Sequence, residues 1–145
     1  REEDERKRKA EEERKRREEE ERKRKAEEER KRREEDERKR KAEEERKRRE
    51  EEERKRKAEE QYQLGLSHHN KKDYVKALEC FRKSAEYGNA SAHDYLGYYY
   101  QNGRGVTKDP VEALKWWSKA AELYRMPAEQ GDAVAQYKLG KYCDD

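Results

Sequence analysis

Residues 92–121 read AHDYLGYYYQNGRGVTKDPVEALKWWSKAA, and this stretch decides the fold. The Gly-Arg-Gly run at 103–105 lies in a polar segment, where glycines can adopt the positive φ that a tight turn needs. After this segment, Asp109 is a natural N-cap, Pro110 suits the first helical position, and Glu112 is placed to complete a capping box. The stretch therefore predicts two helices that are joined by a turn.

The same order recurs on both sides of this stretch. Three Leu-Gly dipeptides mark the first helices: Leu64-Gly65, Leu96-Gly97 and Leu139-Gly140. A mid-helix glycine costs roughly 1 kcal/mol relative to alanine, so its recurrence indicates close helix packing. The helix after each of the first two dipeptides carries apolar residues at i, i+4 and i+8: Ala77, Phe81, Ala85 and Ala113, Trp117, Ala121. We expect these helices to end at Gly88 and Gly131, and the pattern predicts helical hairpins.

This spacing resembles the Sel-one-like repeat, a relative of the tetratricopeptide repeat. The residues that carry the resemblance are Ala92, Leu96-Gly97, Tyr100, Gly103-x-Gly105-Val106, Asp109, Ala113, Trp116-Trp117 and Lys119-Ala120-Ala121, and then Gly131 to Ala135 with Leu139-Gly140. The first repeat lacks the Gly-x-Gly loop, and the third has only its first helix before Asp145. We therefore assign residues 61–145 to about two and a half repeats.

The resemblance implies an α-solenoid whose first helices form a concave surface for a protein or peptide partner. The positions that it places on this surface are Tyr62, Gln63, Leu66, His69, Asp94, Tyr95, Tyr98, Gln101, Asn102, Tyr137, Lys138 and Lys141. Tyrosine is favoured at interfaces because it offers a large rigid area and a hydroxyl group. We refer to these twelve residues as the predicted face. An uncapped third repeat would also allow oligomerisation.

Residues 1–60 have a different character, since every one of them is Arg, Lys, Glu or Asp except four alanines. The sixteen-residue unit REEDERKRKAEEERKR fills 1–16, returns at 17–32 with one change, and returns unchanged at 33–48. Such fidelity indicates recent tandem duplication or a designed gene. Each acid in a block meets a base four residues later, as Glu3 meets Lys7, and the bases meet acids of the next block, as Lys7 meets Glu11.

This pattern predicts an α-helix that needs no tertiary partner, because oppositely charged residues four apart are neighbours on a helix surface. One alanine in sixteen residues cannot build the apolar seam of a coiled coil. Disorder is the usual interpretation of a charged tract, but blocks of opposite sign at helical spacing argue against it. The segment resembles the single α-helix, or ER/K, motif, which implies a stiff spacer. The predicted fold class is all-α, with this long helix continuing into the solenoid.

The composition limits the remaining functions. The chain has a net charge of +3 with 54% charged residues, and residues 1–60 carry 29 basic and 27 acidic groups. Because there is no basic excess to drive counterion release, we do not expect nucleic acid as a partner. Cys80 and Cys143 lack metal-ligand spacing and are interpreted as reduced thiols. We expect no membrane span, no metal and no cofactor, and a cytoplasmic location.

Three hypotheses for function follow. The first is a non-catalytic protein-interaction scaffold carried on a rigid helical spacer. The sequence does not show a nucleophile with a nearby base or a phosphate-binding loop, either of which would indicate an enzyme. The second is an engineered or truncated fusion in which the charged helix serves only as a structural spacer. The third is a charged tract that binds nucleic acid or another polyanion through clusters such as Arg6-Lys7-Arg8-Lys9.

Overall fold

The computed structural model describes residues 1–143, with the backbone alone at Cys143, and within this range the chain is helical without any strand. The helices are α1 (Glu2–Asn70), α2 (Tyr74–Glu86), α3 (Ala90–Asn102), α4 (Pro110–Glu129) and α5 (Ala133–Cys143). The all-α prediction, with a long first helix followed by short ones, is confirmed. The prediction about the Cys143 thiol and the predicted end of the third repeat lie outside the described residues.

The chain divides into two compact units, Arg1–Arg48 and Arg49–Asp145. In the first unit every residue is exposed to solvent, so its helix makes no use of a hydrophobic core. The second unit contains all the buried side chains of the described residues. The boundary that the sequence places after Glu60 stays a prediction.

Charge pairs four residues apart line the first unit. The lysines bond to the glutamate one turn earlier, at 3.3 Å for Glu3–Lys7, 2.8 Å for Glu11–Lys15, 2.6 Å for Glu19–Lys23 and 2.7 Å for Glu35–Lys39. Pairs in the opposite order are formed by arginine and are longer, at 3.7 Å for Arg14–Glu18 and 4.0 Å for Arg16–Glu20. The helix geometry favours a glutamate that precedes its base.

The predicted Glu3–Lys7 pairing is therefore present, whereas Lys7 reaches back to Glu3 rather than forward to Glu11. Glu11 instead bonds Lys15. That hydrogen bond, with the charge of Lys15, holds the pKa of the Glu11 carboxyl below its ordinary value of 4.5. The helical state of this segment matches the prediction, and its likeness to the single α-helix motif stays a prediction.

The second unit is built from helical hairpins. The last turns of α1 pack against α2, and α3 packs against α4, with α5 after them. The core has two clusters of buried residues. The first contains Ala77, Leu78, Phe81, Ala85, Ala92, Leu96 and Tyr99, and the second contains Ala120, Tyr124, Ala128 and Ala135. Ser84 is also fully buried, and its hydroxyl donates to the carbonyl of Ala58 at 2.7 Å, which ties α2 to α1.

Side-chain caps set where the helices begin. The Asp109 carboxylate accepts from the backbone N–H of Glu112 at 3.1 Å, which confirms the predicted N-cap of α4. In a complete capping box the Glu112 side chain would accept from the backbone N–H of Asp109. Here that N–H donates instead to the Tyr100 carbonyl at 2.8 Å. Helices α2 and α4 stop before Gly88 and Gly131 as predicted, where φ is +90° and +94°.

Candidate protein-interaction face

The Leu-Gly glycines let the two helices of a hairpin approach closely. A Cβ atom placed on Gly65 would lie 2.7 Å from Cε1 of Phe81, and one placed on Gly97 would lie 2.5 Å from Cδ1 of Trp117. Real Cβ atoms do not tolerate such distances, so only glycine fits beneath these rings. The close approach that the dipeptides predicted is confirmed in both complete hairpins, and it fixes the orientation of the first helices.

Aromatic rings fill the junction between α1 and α3. Phe81 stacks on Tyr95 with ring centroids 4.7 Å apart, and Tyr62 lies 6.0 Å from each of these rings. His69 lies 5.4 Å from Tyr95, and its Nδ1 is hydrogen-bonded to the hydroxyl of the fully buried Tyr99 at 2.7 Å. The structure thus brings three residues of the predicted face together as a half-buried cluster.

This environment shifts the titration of the cluster. Burial, with the nearby Tyr95, raises the pKa of Tyr62 to about 12. Burial also lowers the pKa of His69 below 6.5, and the positive charge of Arg104 lowers it further. Both groups are therefore uncharged at neutral pH and suit an apolar junction.

Arg104 is not one of the twelve residues of the predicted face, but it lies beside this face. Its guanidinium carbon is 4.8 Å from the centroid of the Tyr74 ring and 5.1 Å from that of Tyr98, and Nη1 donates to the Tyr74 hydroxyl at 2.9 Å. Gly105 lets the loop lie against α2, since a Cβ there would be 2.7 Å from the Tyr74 carbonyl oxygen. The Gly-Arg-Gly run was the only sequence signal for this arrangement.

Asp94 and Lys138, both in the predicted face, form an ion pair that links α3 to α5. Their side chains retain 16% and 27% of their exposure, so the pair is largely shielded from water. Burial opposes the charge of Lys138, but the hydrogen bond from its ammonium to the Asp94 carboxylate and the carboxylate's charge raise its pKa. The Asp94 carbonyl also accepts from Nε1 of Trp117 at 3.3 Å. The ion pair connects consecutive repeats, and the hydrogen bond from Trp117 joins the two helices of the second hairpin.

The remaining residues of the predicted face range in solvent exposure from half-buried to exposed. Leu66 packs against the first core cluster and Gln101 is half-buried. Gln63 donates to Glu59 at 2.8 Å, and Asn102 donates to the Tyr98 carbonyl at 2.9 Å. The exposed members are Gln63, Tyr98, Asn102, Tyr137 and Lys141. Binding by any of the twelve residues stays a prediction.

The described part of the chain also bears on a metal site and on a membrane span. His, Cys, Asp and Glu side chains there do not gather in groups of three or more that could hold a metal ion. None of the helices that are described is both long enough and apolar enough to cross a lipid bilayer. Cys80 is a buried free thiol, and burial raises its pKa.

Comparison with curated proteins gives no match. Comparison with protein families matches the Sel1 repeat at residues 61–89, 90–124 and 133–143, which together cover just over half of the chain. These ranges follow the hairpins: the first includes α2, the second begins with α3, and the third coincides with α5. Sel1 repeats are non-catalytic repeats that mediate interactions between proteins. The chain belongs to the Sel1 repeat family.

Proposed function

We propose that this chain is a non-catalytic interaction module that binds a protein or peptide along the first helices of its repeats. The observation that carries the proposal is Tyr98, which remains 39% exposed beside the guanidinium of Arg104. Tyrosine and arginine are both enriched among the residues that carry most of the binding energy at protein interfaces.

The chemistry of this pair indicates the partner. A guanidinium has five N–H donors, and the bond from Arg104 to the Tyr74 hydroxyl uses one of them. Because two tyrosine rings hold the group in place, little side-chain entropy is lost when it binds a carboxylate. The proposed partner is therefore a segment with an acidic side chain next to an apolar one, which would lie over the ring of Tyr98.

The test uses the whole chain as bait, with Tyr98→Ala as the variant. Tyr87 provides the matched control, because it is 36% exposed at the C-cap of α2 and is not part of the predicted face. We expect a captured partner to be lost with Tyr98→Ala and retained with Tyr87→Ala. Capture of the same partner by both variants at the level of the unaltered chain would contradict the proposal.

The charged helix is proposed to act as a spacer. Sixty residues at the α-helical rise span roughly 90 Å. The proposal is supported by the glutamate–lysine pairs of the first unit and by the exposure of every residue in it. A peptide of residues 1–60 should sediment as a monomer and show strong helical circular dichroism at micromolar concentration. A dimer would assign the segment to a coiled coil, and retention on heparin at low salt would favour the polyanion hypothesis.

A further inference from the structure

The turns that join the two helices of each complete hairpin lie against each other at one edge of the second unit. A Cβ atom on Gly105, in the second of these turns, would lie 2.7 Å from the carbonyl oxygen of Tyr74. Tyr74 is the first residue of α2 and directly follows the first turn, residues 71–73. The exposed basic residues of the two turns, which we call the basic rim, are Lys71, Lys72 and Lys108.

The ammonium groups of the basic rim are not neutralised. None of the described residues forms an ion pair with them. The neighbouring acids are engaged elsewhere, because Asp73 pairs with Lys76 at 3.6 Å and the Asp109 carboxylate caps α4. The turns at the opposite edge, residues 87–89 and 130–132, contain no lysine or arginine. The rim is therefore a local excess of positive charge in a chain whose net charge is only +3.

The backbone at Lys72 shows that a lysine stands there at a cost in stability. Its φ is +61°, in the left-handed region that favours glycine. The corresponding turn of the second hairpin has a glycine in this region, Gly103, with φ at +64°. A disfavoured residue in a left-handed conformation is an observation from which a functional role is inferred. The property that lysine supplies and glycine lacks is its charge.

We propose that the basic rim binds an acidic segment of a partner protein. Three clustered ammonium groups complement a run of carboxylates, and such complementary charge speeds association and selects partners. Val75 and Val111, in the first turns of α2 and α4, are 59% and 66% exposed and offer an apolar contact near the lysines. Three cations are few for nucleic acid, whose binding commonly draws on roughly six to ten phosphate contacts.

The test uses a fluorescent oligoglutamate peptide of about ten residues, which can extend over roughly 30 Å, and the whole chain as its receptor. Binding is followed by fluorescence anisotropy at roughly 50 mM salt, where screening is weak. We expect Lys72→Gly to weaken binding about two- to fivefold, the range for one exposed charge pair. Adding Lys108→Gln should bring the loss to at least about fourfold. The matched control is Lys83→Gln, which removes one charge from the last turn of α2 and should leave the affinity unchanged.

Lys72→Gly separates binding from folding. Glycine adopts a φ of +61° without strain, so the variant should unfold at an equal or higher urea concentration while it binds the peptide more weakly. Equal affinity of the unaltered chain and the double variant, an equal loss with Lys83→Gln, or no binding at roughly 1 mM chain would overturn the proposal. Tighter binding of a DNA duplex or of anionic phospholipid vesicles, lost in the same variants, would overturn it by assigning the rim to phosphate groups. The basic rim does not include Tyr98, so this proposal and the proposed function can fail independently.

Discussion

Gly97→Ala is the perturbation that most directly tests how the hairpins pack. Gly97 is buried, and an added Cβ would lie 2.5 Å from Cδ1 and 2.7 Å from Cε2 of Trp117. The atoms in the way belong to a rigid ring, so the indole must shift as a whole. A shift would also break the hydrogen bond from its Nε1 to the Asp94 carbonyl, which is 3.3 Å long.

The expected loss of stability follows from three effects. Overpacking a filled site costs roughly 1–3 kcal/mol. Loss of the indole hydrogen bond adds roughly 1 kcal/mol. This is the lower end of the cost of leaving a buried donor unpaired, because Trp117 is only half-buried and water can reach the displaced N–H group. Alanine is better than glycine in a helix by about 1 kcal/mol, which offsets part of this cost. The net loss in the free energy of unfolding is therefore about 1–3 kcal/mol.

Tryptophan fluorescence during urea unfolding measures this change without interference from the charged helix. Both tryptophans of the chain, Trp116 and Trp117, lie in α4, and residues 1–60 contain none. Gly140→Ala is the matched control, since the same substitution in the third repeat meets no described atom. We expect a lower urea midpoint for Gly97→Ala and an equal or higher one for the control. A rise for both variants would refute the explanation by close packing.

Two predictions concern pH. Burial lowers the folded-state pKa of both His69 and His93 below 6.5, so the unfolded chain binds more protons than the folded chain as the pH falls. The free energy of unfolding should therefore be highest above pH 6.5 and decrease below it. The urea midpoints at pH 7 and pH 5 measure this change. In the charged helix, a hydrogen bond from the lysine four residues later lowers the pKa of carboxyls such as that of Glu11. The helicity of the 1–60 peptide should therefore be highest above pH 4.5 and fall as these carboxyls become protonated. Unchanged circular dichroism at pH 2 would contradict the role of the charge pairs.

The helices could be predicted from the sequence because their signals are local. The Asp109 cap, the glycine stops and the pairs four residues apart all depend on residues within one or two turns of one another. The packing at Gly65 and Gly97 could also be inferred, since a glycine in mid-helix is costly unless another helix needs the space. These features required only the periodicity of an α-helix.

The partners within the predicted face could not be found in this way. The ion pair joins Asp94 to a lysine 44 residues away, and the hydrogen bond from Arg104 reaches a tyrosine 30 residues away. Such pairs depend on how two hairpins are set against each other, which no local pattern specifies. The sequence offered Lys7 an acid on either side, Glu3 and Glu11, and the structure shows it bonded to Glu3, which is the order that helix geometry favours.

The burial of the predicted face decides where its role in binding can be tested. Tyr62 and His69 each lie edge-on to Tyr95, and Tyr62 and Tyr95 pack against the core. Replacing any of the three would therefore weaken the junction between repeats as well as any contact with a partner. A loss of binding at these positions could not be assigned to recognition. Tyr98 and Tyr137 are 39% and 70% exposed, so their removal takes little from the core. Tyr98 and Tyr137 are therefore the tyrosines of the predicted face at which a loss of binding can be assigned to recognition.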